Sequence, residues 1–193
     1  GRRMVMTTSI GISVYPQDGD TSEELLKHAD LALYQSKGNG RNSIHFFSAN
    51  LKTKASLELH LEEELRAALR EENGLQLYYQ PIVDLRTGHV AKFEALVRWE
   101  HPIHGLLTPD RFIGIAENNG LIAELDNWVL RQACRDLGLL TEPGFEKLVI
   151  AVNCSALNLS RDELVDEVAS ALGDANVAPH RLELEVTENA LMG

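Results

Sequence analysis

The length, composition and charge of the chain exclude several classes of protein. Its 193 residues, 44% hydrophobic and 24% charged, match ordinary globular usage and exclude disordered, collagen-like and disulfide-rich chains. The net charge of −11 argues against broad binding to DNA or RNA, and no apolar run is long enough to span a bilayer. Cys134 and Cys154 lack metal-ligand or redox spacing, which is typical of a reducing compartment. We therefore expect a soluble, cytoplasmic chain of one or two domains without nucleic-acid or membrane contact.

The first 48 residues predict a strand, a helix and a second strand. Residues 4–14 are rich in Val, Ile, Thr and Ser, and a loop containing Pro, Asp and Gly follows them. Thr21 and Glu24 have the spacing of a capping box for a helix that ends at Gly38, and residues 44–47 supply the closing strand. So short a unit cannot bury a secure core, and we expect it to be the end of a larger domain.

The rest of the chain predicts a helix and then strands that alternate with helices. An apolar stripe from Leu57 to Leu69 indicates a helix, preceded by a linker over residues 49–56. Strands are predicted over residues 75–85, 89–99, 147–153 and 181–186. One helix is predicted to have Thr108 as its N-cap and Pro109 as its first residue. A second is predicted to include residues 125–133, and a third to begin at Ser160. This alternation predicts an α/β fold with a largely parallel sheet.

Acid and amide side chains recur on one face of the predicted strands. Because side chains alternate along a strand, the even-numbered residues of 92–98 share the face of Glu94, which a barrel would turn toward its lumen. Asn153 and Glu185 are placed in the same way on two later strands. Carboxylate and amide oxygens are the ligands that Mg²⁺ or Mn²⁺ prefers, so the convergence of these three residues predicts a divalent-metal site.

Each of these residues also has a structural explanation. Glu94 can pair with Lys92 or Arg98 instead of a metal ion, and Glu185 can likewise pair with a partner that this chain lacks. The guanidinium of Arg98 suits a phosphate because of its bidentate fork, and it suits a salt bridge with Glu94 equally well. Gln80 either donates to a ligand or only ends its strand. The residue pattern alone leaves these alternatives open.

Five motifs, in order along the chain, resemble the EAL family of cyclic di-GMP phosphodiesterases. They are YYQPIVD at residues 78–84, EALVRW at 94–99, TPDRFI at 108–113, VNCS at 152–155 and EVTE at 185–188. The first residues resemble the end of a GGDEF, or diguanylate cyclase, domain through SIGIS at 9–13, ADLALY at 29–34 and KGNGRN at 37–42. The resemblance predicts the end of a GGDEF domain at residues 1–48, a linker at 49–56 and a truncated EAL domain at 57–193.

The EAL resemblance implies a fold, an activity and a set of site residues. It implies the first half of a TIM-like (β/α) barrel, and bacterial signalling through hydrolysis of cyclic di-GMP to linear di-GMP with two Mg²⁺ or Mn²⁺ ions. The implied metal ligands are Glu94, Asn153 and Glu185. The implied catalytic residues are Glu94 and Glu188, the latter as a support for the loop after its strand. The residues implied to line the substrate site are Gln80, Leu96, Arg98 and Pro109. A homodimer formed through the EAL domain is also implied.

The ends of the chain predict a fragment of a longer parent, which an absent region could anchor to the inner membrane. We expect the later metal-site residues of the family to lie beyond Gly193, so that this chain is inactive while the parent hydrolyses cyclic di-GMP. A catalytically silent receptor for cyclic di-GMP is the alternative function. A third alternative is an unrelated barrel that acts on sugars through Glu94 and Glu185.

Lys37 and Arg41 match nucleotide-contacting positions of GGDEF domains, and they also suit the carbonyl end of a helix.

Overall fold

The computed structural model describes residues 7–38, 42–141, 144, 145 and 147–186, and of residues 37, 38, 54 and 55 it describes only the backbone. The predicted site residue Glu188, the side chain of Lys37 and all of Arg41 lie outside this description. The chain divides into two compact units, residues 1–61 and residues 62–193. None of the helices in the described ranges combines the length and the apolar character needed to cross a membrane.

The first unit contains a two-stranded parallel sheet and a helix. Strand β1, Ile10–Ile12, pairs with strand β2, Ile44–Phe46, and helix α1, Ser22–Gly38, lies between them in the chain. The predicted capping box is confirmed, because Glu24 N–H donates to Thr21 Oγ1 at 3.2 Å and Thr21 N–H donates to Glu24 Oε2 at 3.3 Å. Strand and helix approach so closely that a Cβ at Gly11 would lie 2.1 Å from the carbonyl oxygen of Ala29, so only glycine fits there.

Helix α2, Ala49–Glu71, begins within the residues of the first unit and ends within those of the second. Its first eight positions include all of the predicted linker, residues 49–56, which is therefore helical. In the second unit, Leu65, Ala68 and Leu69 form its buried face, which confirms the predicted apolar stripe. Nearby, the buried ring of His101 is satisfied at both nitrogens: Nε2 lies 2.8 Å from Glu64 Oε2, and Nδ1 accepts from the backbone N–H groups of residues 103 and 104.

The second unit is built on one mixed sheet. Its strands are β3, Leu75–Val83; β4, Val90–His101; β5, Gly105–Leu107; β6, Ile150–Cys154; and β7, Leu182–Val186. The order is β3-β4-β6-β7, with β5 paired to β4. The pairs β4–β6 and β6–β7 are parallel, as predicted, whereas β3–β4 and β4–β5 are antiparallel. The largely parallel prediction is wrong for β3, because the short turn from Asp84 to His89 cannot carry a parallel crossover.

Helices connect the parallel strands and cover one face of the sheet. They are α3, Pro109–Asn118; α4, Ile122–Leu139; α5, Ala156–Leu159; and α6, Leu164–Asp174. Helix α4 contacts β3, β4 and β6, and buried Phe112 of α3 packs edge-on against Trp99 of β4 with ring centroids 5.8 Å apart. The hydroxyl of Tyr79 on β3 donates to Asp136 on α4, and burial together with this bond raises the pKa of Tyr79.

The start of the helical segment after β6 differs from the prediction. Ser155, not Ser160, is the first capping residue: its hydroxyl accepts from the N–H of Asn158 at 3.2 Å at the start of α5. Helix α6 then begins at Leu164 and has no side-chain cap. Both serines have the residue type of an N-cap, and Ser155 is the one that directly follows a strand.

Candidate active site

The middle of β4 presents two chemically different faces. Ala95, Val97 and Trp99 are buried on the face that packs against α3 and α4. The even-numbered residues of the strand, at positions 92, 94, 96 and 98, are half-buried on the opposite face. The predicted alternation along this strand is therefore confirmed, and Glu94 lies on the side of the sheet away from these helices.

The strand register brings the two acids and the amide to that one face. Glu94 of β4 lies beside Ala151 of β6, and Asn153, two residues further along β6, lies beside Glu185 of β7. The Asn153 Nδ2 group donates to Glu94 Oε1 at 2.8 Å. Because this bond uses the nitrogen of the amide, the Oδ1 oxygen of Asn153 is left available to a further partner.

Gln80 also lies on this face, for a reason that differs from the prediction. It was predicted at the carboxyl end of its own strand, but β3 continues to Val83, runs antiparallel to β4 and pairs Gln80 directly with Glu94. Cross-strand partners have side chains on the same face of a sheet, about 4.5–5.5 Å apart at Cβ. Gln80 and Asn153 are exposed, so the candidate site is an open surface.

Arg98 does not pair with Glu94. Its Nη1 group donates to the carbonyl oxygen of Val97 at 2.8 Å, and its guanidinium carbon lies 5.5 Å from the centre of the Tyr78 ring. Such an arrangement is a cation–π contact, and it holds the guanidinium over β3. Tyr78 was not predicted to take part in the site, although it lies two residues before Gln80 in β3 and therefore shares its face.

Glu185 is held by Lys92. The Nζ group of Lys92 lies 3.0 Å from Glu185 Oε1 and 2.6 Å from Glu183 Oε1, so one ammonium bridges two carboxylates of β7. The hydrogen bond to Glu183, and to a smaller extent the one to Glu185, raises the pKa of Lys92. The structural alternative for Glu185 thus has a definite partner, while Glu94 is bound to the Asn153 amide and not to Lys92.

The remaining predicted residues lie at the edges of this arrangement. Leu96 is half-buried on the face of Glu94 and is paired with Tyr78 across β3–β4. Pro109 is outside the sheet, where it is the first residue of α3. Across the described ranges no group of three His, Cys, Asp or Glu residues is arranged to hold a metal ion.

A half-buried acid, Asp126, fixes the turn that follows Asn153. Asp126 of α4 accepts from the backbone N–H of Ser155 at 3.0 Å and from its hydroxyl at 2.6 Å. Burial raises the pKa of Asp126 above its ordinary value of 3.8, and the bonds from Ser155 and Asn158 oppose this rise. Sequence reasoning missed Asp126, since a single acid beside an apolar helical stripe gives no signal by itself.

We expect Asp126→Asn to change how stability depends on pH. Because the pKa of Asp126 is raised on folding, the folded state holds the proton more tightly than the unfolded state. The stability contributed by this proton is complete below the unfolded pKa near 3.8 and is lost as pH rises through the raised folded pKa. Asn removes that loss. Urea unfolding across this pH window measures the difference between wild type and variant, and a difference that stays constant with pH would contradict the expectation.

An open cavity of about 430 Å³ lies elsewhere in the second unit, between α2 and α4. Its lining includes four arginines, Arg66, Arg70, Arg131 and Arg135. Each of these arginines has an acid within 4 Å. None of the predicted site residues lines this cavity, so the acid and amide face is a separate feature of the sheet.

The sequence of the second unit matches one family over nearly its whole length. The family model described as the EAL domain covers residues 62–193, more than half of the chain. The chain belongs to the EAL domain family. Residues 1–43 match a second model, described as the diguanylate cyclase, GGDEF domain. The range that matches the EAL domain thus contains all the described residues of the candidate site, and the range that matches the GGDEF domain lies within the first unit.

Curated relatives are similar to this EAL chain over nearly all of its residues. Cyclic di-GMP phosphodiesterase NbdA of Pseudomonas aeruginosa is 60% identical over 192 residues, which are 100% of this chain and 24% of NbdA. The bifunctional diguanylate cyclase/cyclic di-GMP phosphodiesterase MucR of the same organism is 45% identical over 187 residues, 97% of this chain and 27% of MucR. The chain therefore spans about a quarter of the length of these curated relatives.

Solved EAL structures resemble the chain as well. A structure of the MucR phosphodiesterase in complex with c-di-GMP has 44% sequence identity and a TM-score of 0.64, covering 69% of this chain and 53% of that one. The EAL domain of Xanthomonas citri FimX in complex with c-diGMP has 28% identity and a TM-score of 0.63, covering 72% and 53%. The chain spans about half of each of these structures.

Proposed function

We propose that the whole protein hydrolyses cyclic di-GMP to linear di-GMP in a reaction that depends on divalent metal, Mg²⁺ or Mn²⁺. The observation that carries this proposal is the convergence of Glu94, Asn153 and Glu185 on one sheet face, with Glu94 and Asn153 in direct contact. Membership of the EAL family and the names of the relatives support the substrate and the reaction.

The residues of this face fit a hard divalent cation. Its three candidate ligands offer oxygen atoms only, namely the Glu94 carboxylate, the Oδ1 of Asn153 and the Glu185 carboxylate. Two bound ions would supply a water activated at neutral pH and would neutralise charge on the phosphate. The chain's own part is to hold these oxygens in place: β4, β6 and β7 fix their spacing, and the Asn153 amide fixes the orientation of Glu94.

The substrate would lie against the neighbouring part of the same face. Arg98, held over Tyr78, would bind a phosphate through its guanidinium, and Gln80 would donate from the partner strand. Leu96 and Pro109 would contact apolar parts of the ligand. Glu188, outside the described residues, would support the loop after β7 as a further catalytic residue.

The wider architecture is part of the proposal. The strand order, with helices over one face, is compatible with the first half of a TIM-like barrel whose lumen is the Glu94 face. We propose the domain division given above, with the end of a GGDEF domain at residues 1–48, a connecting segment at 49–56 and the start of the EAL domain at 57–193. Pairing of two EAL domains as a homodimer stays a prediction.

A second candidate function is a receptor that binds cyclic di-GMP without hydrolysing it. One observation favours this candidate: Lys92 occupies the Glu185 carboxylate and so withdraws one of the three acid or amide groups from a metal ion. Binding through Arg98 and Gln80 would not need that carboxylate. The two candidates therefore differ in whether the metal site forms.

Removal of divalent metal separates these candidates. We expect the whole protein to convert cyclic di-GMP to linear di-GMP with Mn²⁺, to lose that turnover in excess EDTA and to regain it when Mn²⁺ exceeds the chelator, because the metal activates the water. Chromatography of the nucleotides measures the product, and calorimetry with cyclic di-GMP measures binding. Turnover that persists in EDTA would contradict the metal requirement. Binding with no turnover under any condition would support the receptor.

A further inference from the structure

Lys92 lies among the acids of the candidate site. Its side chain starts on β4 and reaches two carboxylates on β7, which is two strands away. Between them lies Ala151 of β6, which is in register with both Glu94 and Glu183. Alanine has only a methyl group, so this part of β6 offers little obstruction to the lysine, whose side chain is 23% exposed.

The two carboxylates that Lys92 bridges have different places in the proposed site. Glu185 lies beside Asn153 and belongs to the proposed metal ligands, whereas Glu183 lies one pair earlier, beside Ala151. The distance from Nζ to Glu183 Oε1, 2.6 Å, is shorter than the 3.0 Å distance to Glu185 Oε1. Lys92 can therefore release Glu185 and still keep a close ionic partner.

An ammonium group and a divalent cation compete for the same carboxylate. A metal ion that binds Glu185 has to replace the Lys92 contact, and the nearby positive charge also opposes a second cation. The contact with Glu183 offsets part of that opposition, because it supplies a negative charge that the metal ion does not use.

We propose that Lys92 is a positioning residue that holds Glu185 in the absence of metal and shifts to Glu183 alone when a divalent ion binds. This inference rests on the proposed function, since it concerns the same metal site. Its consequence is that the pair of Lys92 and Glu183 sets the metal affinity of the site: the lysine lowers the affinity, and Glu183 limits how far the lysine lowers it.

The test measures Mn²⁺ binding to the whole protein without nucleotide, by electron paramagnetic resonance of free Mn²⁺ and by calorimetry. Binding that disappears in Glu94→Ala is assigned to the site. We expect Lys92→Met to tighten this binding about two- to fivefold, as the loss of a partly exposed ion pair allows. Lys147→Met is the matched control, since it removes an exposed lysine six residues before Asn153, and it should leave the affinity unchanged. Lys92→Gln repeats the test with a polar side chain.

A second substitution distinguishes the shift of Lys92 from a general effect of charge. Glu183→Gln alone should weaken Mn²⁺ binding about two- to fivefold, because Lys92 then has only Glu185 as a partner. In the Lys92→Met background the same substitution should have no effect, since Glu183 acts through the lysine. Effects that add in the double variant would overturn the proposal in favour of unspecific electrostatics.

The outcomes also separate this inference from the proposed function. If wild type and Glu94→Ala bind Mn²⁺ equally, the metal site itself is wrong. If the binding depends on Glu94 but Lys92→Met and Lys92→Gln leave it unchanged or weaken it, the metal site stands and the role of Lys92 is overturned. Tryptophan fluorescence of each variant checks that the second unit, which contains Trp99 and Trp128, is folded.

Discussion

Replacement of Glu94 by alanine is expected to lower the turnover of cyclic di-GMP by the whole protein at least about a hundredfold. The carboxylate accepts a hydrogen bond from Asn153 and lies on β4, inside the strand order, so its loss would remove a proposed metal ligand and free the amide. Initial rates of linear di-GMP formation at saturating Mn²⁺ measure the effect.

Two further variants show whether the charge of Glu94 matters or only its hydrogen bond. Glu94→Gln can still accept from Asn153 Nδ2, yet it lacks the negative charge, and we expect it to lose activity nearly as fully as Glu94→Ala. Glu117→Ala, on the exposed side of α3, removes an acid away from the site and should retain turnover. Full activity of Glu94→Gln would show that Glu94 only orients Asn153, which contradicts its proposed role as a metal ligand.

Replacement of Leu125 by alanine is expected to lower the free energy of unfolding of the second unit by about 3–5 kcal/mol. Leu125 is only 1% exposed, on the buried face of α4 that packs toward the sheet. Its truncation removes apolar contacts and leaves a cavity that close-packed neighbours fill only in part. Urea denaturation followed by tryptophan fluorescence measures the change, because both tryptophans of the chain lie in the second unit.

The same substitution at the end of the same helix is the control. Leu139 of α4 is 77% exposed, so Leu139→Ala removes little buried surface and should change the free energy of unfolding by no more than about 0.5 kcal/mol. Helix propensity rises slightly in both variants and therefore does not explain a difference between them. Equal destabilisation by the two variants would mean that α4 does not bury Leu125 as described.

The sequence predicted the faces of the strands better than it predicted their directions. Alternation along β4 and β7 depends only on local geometry, and Glu94, Asn153 and Glu185 accordingly share a face. The antiparallel direction of β3 follows from the short turn after Asp84, which the inference from alternating strands and helices did not take into account. The position of Gln80 beside Glu94 follows from that direction.

The choice of partners could not be predicted from the strand pattern. Lys92, Glu94 and Arg98 were all assigned to one face, and Glu94 had two possible bases. Reach across the sheet decides between them: Lys92 extends across β6 to the carboxylates of β7, while Arg98 is held by Tyr78 and the carbonyl of Val97. These choices depend on neighbours that are distant in sequence, and Asp126, which binds Ser155 from another helix, depends on such a neighbour too.

Ala151 places only a methyl group between Glu94 and Glu183 on the middle strand, which leaves this part of the face low. We expect a β-branched residue at this position to obstruct the lysine side chain. The ammonium would then stay on the β4 side of the sheet, and both acids of β7 would lose their contact with it. Positions 92 and 151 should therefore vary together among homologous chains, with a long base found where the middle strand carries a small residue. A chain with a bulky residue at 151 would have no use for a lysine at 92.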